Sequence, residues 1–380
     1  MLNFTLAPLP SWLQFAKVLF IKATDTQIIK PWLQNDEQHF WFSRSAWSLY
    51  AIALFRIKFF GQDNIQVWVP GFFCNASLSL LRDLGVELQF YPLLLDGKPD
   101  MDRCKQMLEQ SSPDLILFVN YFGEMFDAKD LASFAKNNNA WLVEDCAHCL
   151  KPENGIGLTG DFVLYSPHKF LALPDGALLL IRSDGPSNLT KVEFDDVYNK
   201  LLLKEKSFFL TSVNWLIKRF IQKLGIRRMV NITSYQHDDI KTNSSWLPGP
   251  KMSTLAKSFL YLMIPELENE ARNRKRNALE WKSELLSHYC LKQDVKALFR
   301  KNTPYLAGFQ VETKAQAKKI FDRLQNANVP VTTWPDLSPE VLHDMPGQNI
   351  SIERRYTTFY LPVHSSVEPK KIRETIRCIQ

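Results

Sequence analysis

The chain has 380 residues, 46% hydrophobic, 23% charged and 12% aromatic; this globular composition excludes disorder, and only 14 Gly exclude collagen-like and linker-like chains. Lys and Arg number 46 against 40 Asp and Glu, and the formal charge of +6 neither requires a nucleic-acid partner nor forbids an acidic ligand. Six Cys are too few for a disulfide scaffold, no signal-peptide pattern opens the sequence, and the uncharged stretch 64–81 is broken by Pro70 and Gly71, so a cytoplasmic protein without a membrane span is expected.

From residue 43 to 182, short apolar runs alternate with helical periodicity. Helices are predicted at Ser45 to Lys58, Asn75 to Leu84, Asp102 to Glu109 and Ala128 to Asn137. Strands are predicted at Gln66 to Val69, Glu87 to Tyr91, Leu115 to Tyr121, Trp141 to Glu144, Phe162 to Tyr165 and Ala177 to Arg182. Unbroken runs such as Leu115-Ile116-Leu117-Phe118-Val119 suit strands buried on both faces, so the class is α/β with a mostly parallel sheet.

Beyond Ser183 the pattern changes. The segment 204–228 reads as a basic amphipathic helix: Phe, Trp, Leu and Ile alternate with Lys204, Lys206, Lys218, Arg219, Lys223, Arg227 and Arg228. Such a helix can lie on an anionic membrane surface, but the expected role of its apolar side is packing on the body or on a partner subunit. Thr254 to His288 reads as one long charged helix kinked or divided at Pro265. Strand Leu306 to Val311, helix Ala315 to Asn326, strands Pro330 to Thr333 and Thr357 to Leu361, and helix Pro369 to Cys378 follow. The expected division is a large α/β domain over 20–250 and, over 251–380, the long helix with a small α+β domain.

The chemistry concentrates in Glu144-Asp145-Cys146-Ala147-His148, Tyr165-Ser166-Pro167-His168-Lys169 and Pro174-Asp175-Gly176-Ala177. Two strands end here, one delivering a carboxylate and the other a hydroxyl and an amine. Ligands of open α/β sheets sit at the carboxyl ends of strands, so Asp145, His148, Ser166 and Lys169 are expected around one pocket. An Asp opposite a Lys suits pyridoxal phosphate: the carboxylate keeps the pyridine nitrogen protonated, and the amine forms the Schiff base and shuttles the proton. Cys146 and Cys149 flank His148, but one Cys pair is too few for tetrahedral zinc, and no metal is expected.

With these residues the sequence resembles the pyridoxal-phosphate-dependent sugar aminotransferases of the DegT/DnrJ/StrS type, within the aspartate-aminotransferase fold type I, as a divergent member. The likeness runs from about Phe42 to Arg182, with a weaker echo from Met252 onward. The family's Glu-Asp-Ala-Ala-Gln resembles Glu144 to His148, which implies Asp145 as partner of the ring nitrogen and His148 beside the ring hydroxyl. The family's phosphate-holding Ser-Gly-Thr-Ala turn resembles Ser43-Arg44-Ser45-Ala46, where a helix N-terminus suits a phosphate dianion and Arg44 adds charge. The Pro-aromatic stretch resembles Pro70-Gly71-Phe72-Phe73, which implies Phe72 or Phe73 against the ring.

The resemblance also implies Ser166 and His168 at the cofactor and Lys169 as the catalytic amine. Departures mark the divergence: Ser166 and Lys169 are three apart rather than five, and Gly249-Pro250-Lys251-Met252 stands where the family has Asn-Tyr-Arg-Met, whose Asn reaches a neighbouring subunit's phosphate. The implied enzyme is a homodimer moving an amino group from an amino acid, glutamate above all, to a keto sugar attached to a nucleotide. Rival readings are a dehydratase or other amino-acid enzyme of the same fold, against which Lys169 argues mildly, and a catalytically silent binding or regulatory relative.

Overall fold

The computed structural model describes residues 5–189, 192–203, 209–225, 235, 247–287, 295–299 and 301–377. Seven strands make the large sheet: β1 (Gln38–Phe42), β2 (Gln66–Pro70), β3 (Glu87–Tyr91), β4 (Leu115–Val119), β5 (Trp141–Cys146), β6 (Phe162–Tyr165) and β7 (Ala177–Ile181). Their order is β1-β7-β6-β5-β4-β2-β3. The pairings from β6 across to β3 are parallel, and the two at the β1 edge are antiparallel. Every residue of β4, β5, β6 and β7 is buried, as helices on both sheet faces require.

Strand alternation divides the core. Val143, Leu164, Leu179 and Phe42 face the helix Ser45–Phe60, while Val163, Tyr165, Leu178 and Trp41 face the helices Trp12–Val18 and Thr254–Met263. A second sheet, β8 (Lys296–Ala297), β9 (Ala307–Gln310) and β10 (Thr358–Leu361), is antiparallel. It shares an apolar cluster with the helices Leu267–Ser287, Lys314–Asn326 and Pro369–Arg377.

Several expectations change for local reasons. β1 is absent from the sequence reading because five residues carrying Gln38 and His39 give a weak apolar signal; pairing with β7 supplies its order. The strand at 115 stops at Val119, because Tyr121–Gly123 forms a tight turn with Phe122 at φ 56°. The stretch from Asn75 is a 3-10 turn followed by the helix Ser79–Leu84. Pro265 divides the long helix into Thr254–Met263 and Leu267–Ser287, and residue 288 lies outside the described residues. The expected strand from Pro330 is reduced to one bridge between Thr332 and Tyr360, and the helices Pro339–His343 and Met345–Thr357 fill the interval read as irregular. Within 204–228 the helix runs Phe209–Lys223; residues 204–208 and 226–228 lie outside the described residues, as does 378.

Candidate active site

The strand β5 ends in two adjacent carboxylates that its pleat sends to opposite faces. Glu144 turns to the side of Val163, where the amides of Gly157, Thr159 and Gly160 (2.7, 2.9 and 3.1 Å) and Asn120 Nδ2 (2.9 Å) donate to it. Asp145 turns to the side of Leu164, its partner on β6, and so to the side of Ser166 two residues on. Asp145 Oδ1 accepts one bond, from the Ala147 amide at 2.7 Å. Burial pushes the Asp145 carboxyl up, and the Lys169 ammonium opposes that rise.

Lys169 follows β6 on the one-turn helix Pro167–Phe170, whose start Pro167 favours by its fixed φ. Burial pushes its amine down, with the Asp145 carboxylate the strongest opposing influence, so the two charges act on one another. Arg274 fixes the base of this turn. It donates to Phe170 O (2.7 Å) and Tyr305 O (2.8 Å) while pairing with buried Glu270 at 2.6 Å, tying the helix Leu267–Ser287 to the lysine. Ser166 is fully buried, and its Oγ has no hydrogen-bond partner among the described residues. A buried hydroxyl with no partner at the end of β6 keeps its hydrogen-bonding capacity for a ligand.

The expected phosphate turn is placed at the start of the helix Ser45–Phe60. Ser43 is already committed: its amide donates to Pro250 O at 2.7 Å and its hydroxyl to Gly249 O. The segment that lacks the family's Asn therefore lies along this chain's own turn. Arg44 folds over the same edge, donating to Ser43 O (2.9 Å) and Pro174 O (3.0 Å), with Asp175 nearby offsetting the lowering that burial imposes on its guanidinium. Ser45 and Ala46, at the first helical positions, carry the amides that no helical carbonyl takes up. Gly176 completes the junction: its amide donates to Ser43 O, its carbonyl accepts from His168 Nδ1 at 2.7 Å, and its φ of 132° suits glycine alone.

An aromatic wall closes the other side. The His148 ring stacks on Tyr305 (5.0 Å, 17°) and leans on Phe122, which stacks on Tyr360 (4.4 Å, 17°). Burial pushes both His148 and His168 well down, so both are neutral imidazoles at neutral pH. Phe72 lies against Trp334 at 4.2 Å rather than over open space, and Phe73 is buried beside it. Trp334, Asp336, Tyr305 and Arg354 were not foreseen. Cys74 donates through its thiol to Asp336 Oδ1 (3.2 Å), and burial pushes that thiol up to about 12, with Lys169 opposing. The Arg354 guanidinium lies 5.2 Å from the Phe72 ring and 5.5 Å from that of Tyr121. No local motif marks these residues; Tyr305, Trp334 and Asp336 come from loops and Arg354 from the helix Met345–Thr357, all more than a hundred positions along the chain from Lys169. Among the described residues no group of His, Cys, Asp and Glu could hold a metal ion, and the thiols of Cys146 and Cys149 are buried and raised.

The sheet order, the lysine turn after β6 and the second sheet define a fold-type-I pyridoxal-phosphate-dependent aminotransferase fold. Residues 61–191 match the model of the DegT/DnrJ/EryC1/StrS aminotransferase family, which the chain resembles as a divergent member. Three solved structures bear the fold out. The aminotransferase TlmJ of Streptoalloteichus hindustanus is 14% identical with a TM-score of 0.69, all of both chains being covered. PseC of Helicobacter pylori, an aminotransferase of pseudoaminic acid biosynthesis, is 12% identical (TM-score 0.67; 99% of this chain and 98% of that one). The Escherichia coli GDP-4-keto-6-deoxy-D-mannose-3-dehydratase with bound hydrated PLP is 14% identical (TM-score 0.65; all of both chains). No curated protein matches the sequence. Family match and fold together support a PLP-dependent aminotransferase.

Proposed function

We propose that this chain is a pyridoxal-phosphate-dependent aminotransferase that moves an amino group from an amino acid, glutamate above all, to a keto sugar carried on a nucleotide. The observation that carries the reading is that β5 ends in the Asp145 carboxylate while the adjacent parallel strand β6 runs into the turn that bears Lys169 and the orphaned Ser166 hydroxyl. The residues fit the cofactor. Ser166 Oγ with the Ser45 and Ala46 amides would hold the phosphate, with Arg44 adding positive charge at that edge. Asp145 would hold the pyridine nitrogen, and His148 would stand beside the ring. Bound there, pyridoxal phosphate supplies an electron sink for charge released at the amino-acid carbon.

The chain's own residues do the rest. Burial lowers the Lys169 amine toward the neutral form, and a neutral amine at this position can take up a substrate proton and return it. Asp145 keeps a negative charge where a protonated ring nitrogen needs it, despite a burial cost that favours its neutral form. The rings of His148, Tyr305, Phe122 and Trp334 line one side of the lysine, with Lys169 Nζ 5.9 Å from the centroid of the Tyr305 ring. We read the enzyme as a cytoplasmic homodimer, as the family resemblance implies. A sedimentation run showing only a 44.1 kDa species at micromolar concentration contradicts that assembly.

The dehydratase among the structural neighbours keeps a second reading open on the same fold. The amine of Lys169 favours transamination over it. An absorbance spectrum of the purified protein, followed by a half-reaction with glutamate, tests the proposal: a coloured protein bleached by glutamate supports it, and a colourless protein that takes up no pyridoxal phosphate overturns it.

A further inference from the structure

The helix Phe209–Lys223 packs only one side onto the body. Trp215 and Leu216 reach the cluster behind the sheet, Trp215 meeting Phe259 at 5.6 Å, and Phe220 meets Trp12 (5.6 Å) and Phe15 (5.8 Å) of the helix Trp12–Val18. Ile217, Ile221 and Leu224 follow one another at helical spacing along the opposite side, 52%, 39% and 54% exposed. Beside them the N-terminal helix and the residues after it present Leu13, Leu19 and Phe20, the last 88% exposed. So large an apolar group on the surface marks a contact, because isolated domains seldom leave it in water.

The described residues of these two segments carry charge of one sign, with Lys218 on the exposed side and Arg219 and Lys223 half-buried. Residues 5–24 and 209–225 contain no Asp or Glu, while they carry Lys17, Lys22, Lys218, Arg219 and Lys223. Arg219 lies 5.5 Å from the Trp215 ring, and none of the four lysines meets a carboxylate among the described residues. A second copy of the chain is the poorer occupant: a two-fold interface sets the patch against itself, placing cations against cations with no carboxylate from either described segment between them. Anionic headgroups supply the missing counter-charge, and the acyl boundary beneath takes the apolar stripe. No helix of the described residues is long and apolar enough to cross a bilayer, so the contact lies in the surface plane.

We propose that the paired helices Trp12–Val18 and Phe209–Lys223 dock this protein on an anionic lipid bilayer, with Ile217, Ile221, Leu224 and Phe20 dipping into it. The inference does not rest on the proposed reaction. Cosedimentation of the full chain with phosphatidylcholine vesicles, with and without phosphatidylglycerol, tests it. The chain binds the anionic vesicles, releases them as salt is raised, and ignores neutral ones. Lys218→Glu with Lys223→Glu lowers the partition coefficient by about tenfold or more. Phe20→Ser, at a side chain with almost no neighbours, lowers it as well, whereas Leu95→Ser, an equally exposed apolar residue in a distant turn, leaves it unchanged. Absence of binding to anionic vesicles overturns the proposal, as does unaltered binding by the double lysine variant. So does a parental dimer that Ile217→Glu converts to monomer without any vesicle binding by the parent.

Discussion

Glu144 and Asp145 are neighbours on one strand and equally hidden, yet they belong to different enterprises. Glu144 collects four donors from the loop 157–160 and Asn120, leaving little capacity for a ligand. Asp145 accepts one amide and faces an amine, with burial pressing it toward neutrality. A buried carboxylate saturated by its own chain maintains structure; one left under-satisfied beside a buried amine holds chemistry in reserve. The apolar surface divides in the same way. Trp215 and Leu216 pack, half-buried, against the cluster behind the sheet, while Ile217 and Ile221, one step round the same helix, are left outside.

Substitutions can break that contrast. Lys169→Ala has the largest expected effect: loss of transamination by about a thousandfold or more, read in a glutamate half-reaction. Borohydride reduction and peptide mapping of the parent should label Lys169, and label on another lysine removes the assignment. Glu144→Ala should next cost about 2–4 kcal/mol of stability, because three buried amides lose their acceptor. Urea unfolding measures it, and a neutral result would place Glu144 outside the structural group.

Asp145→Asn should reverse the pattern. Its fold persists while turnover falls roughly 10- to 150-fold, the equivalent of a charged hydrogen bond of about 1.5–3 kcal/mol. Parental turnover in this variant would move the ring-nitrogen role elsewhere. Arg44→Ala should weaken pyridoxal phosphate binding by about tenfold in a titration of apo-protein, since the guanidinium both holds the Pro174 loop and adds charge at the helix start. Ser166→Ala serves as its companion: unchanged binding in both would displace the proposed phosphate cradle.

The smallest effect is a pH dependence. Burial raises the folded-state pKa of Asp145, so the ionised carboxylate costs stability in the apo-protein at neutral pH. That cost fades as pH falls through the raised value and is gone below the unfolded value of 3.8. Apo Asp145→Asn should therefore equal or exceed the parent in stability at neutral pH, with an advantage that narrows on acidification. Urea unfolding at stepped pH follows it, and an advantage that widens toward acid would show that the carboxylate is stabilised rather than strained.

Much of the large sheet could be read from the chain because its central strands are continuous apolar runs bounded by Pro, Gly, Asp or Asn. Buried parallel strands write their class into local composition. Asp145, His148, Ser166 and Lys169 could be nominated for a related reason: all lie at or just past the ends of neighbouring strands, where topology brings sequence neighbours together. β1 was not legible, since its order comes from pairing with β7, 135 or more positions away. Trp334, Asp336, Tyr305 and Arg354 were equally silent, because aromatic and polar residues in loops or on a short polar helix acquire a direction only through what packs against them.

Periodicity, spacing and charge thus determined by themselves the α/β class, the carboxylate–amine pair and the basic amphipathic helix. Only the tertiary structure decided that Ser43 is spent on Gly249 and Pro250, that Phe72 is covered by Trp334, and that the stripe Ile217, Ile221 and Leu224 is left facing outward. A sequence records which faces a segment has; which of them is covered depends on what the rest of the chain brings against it.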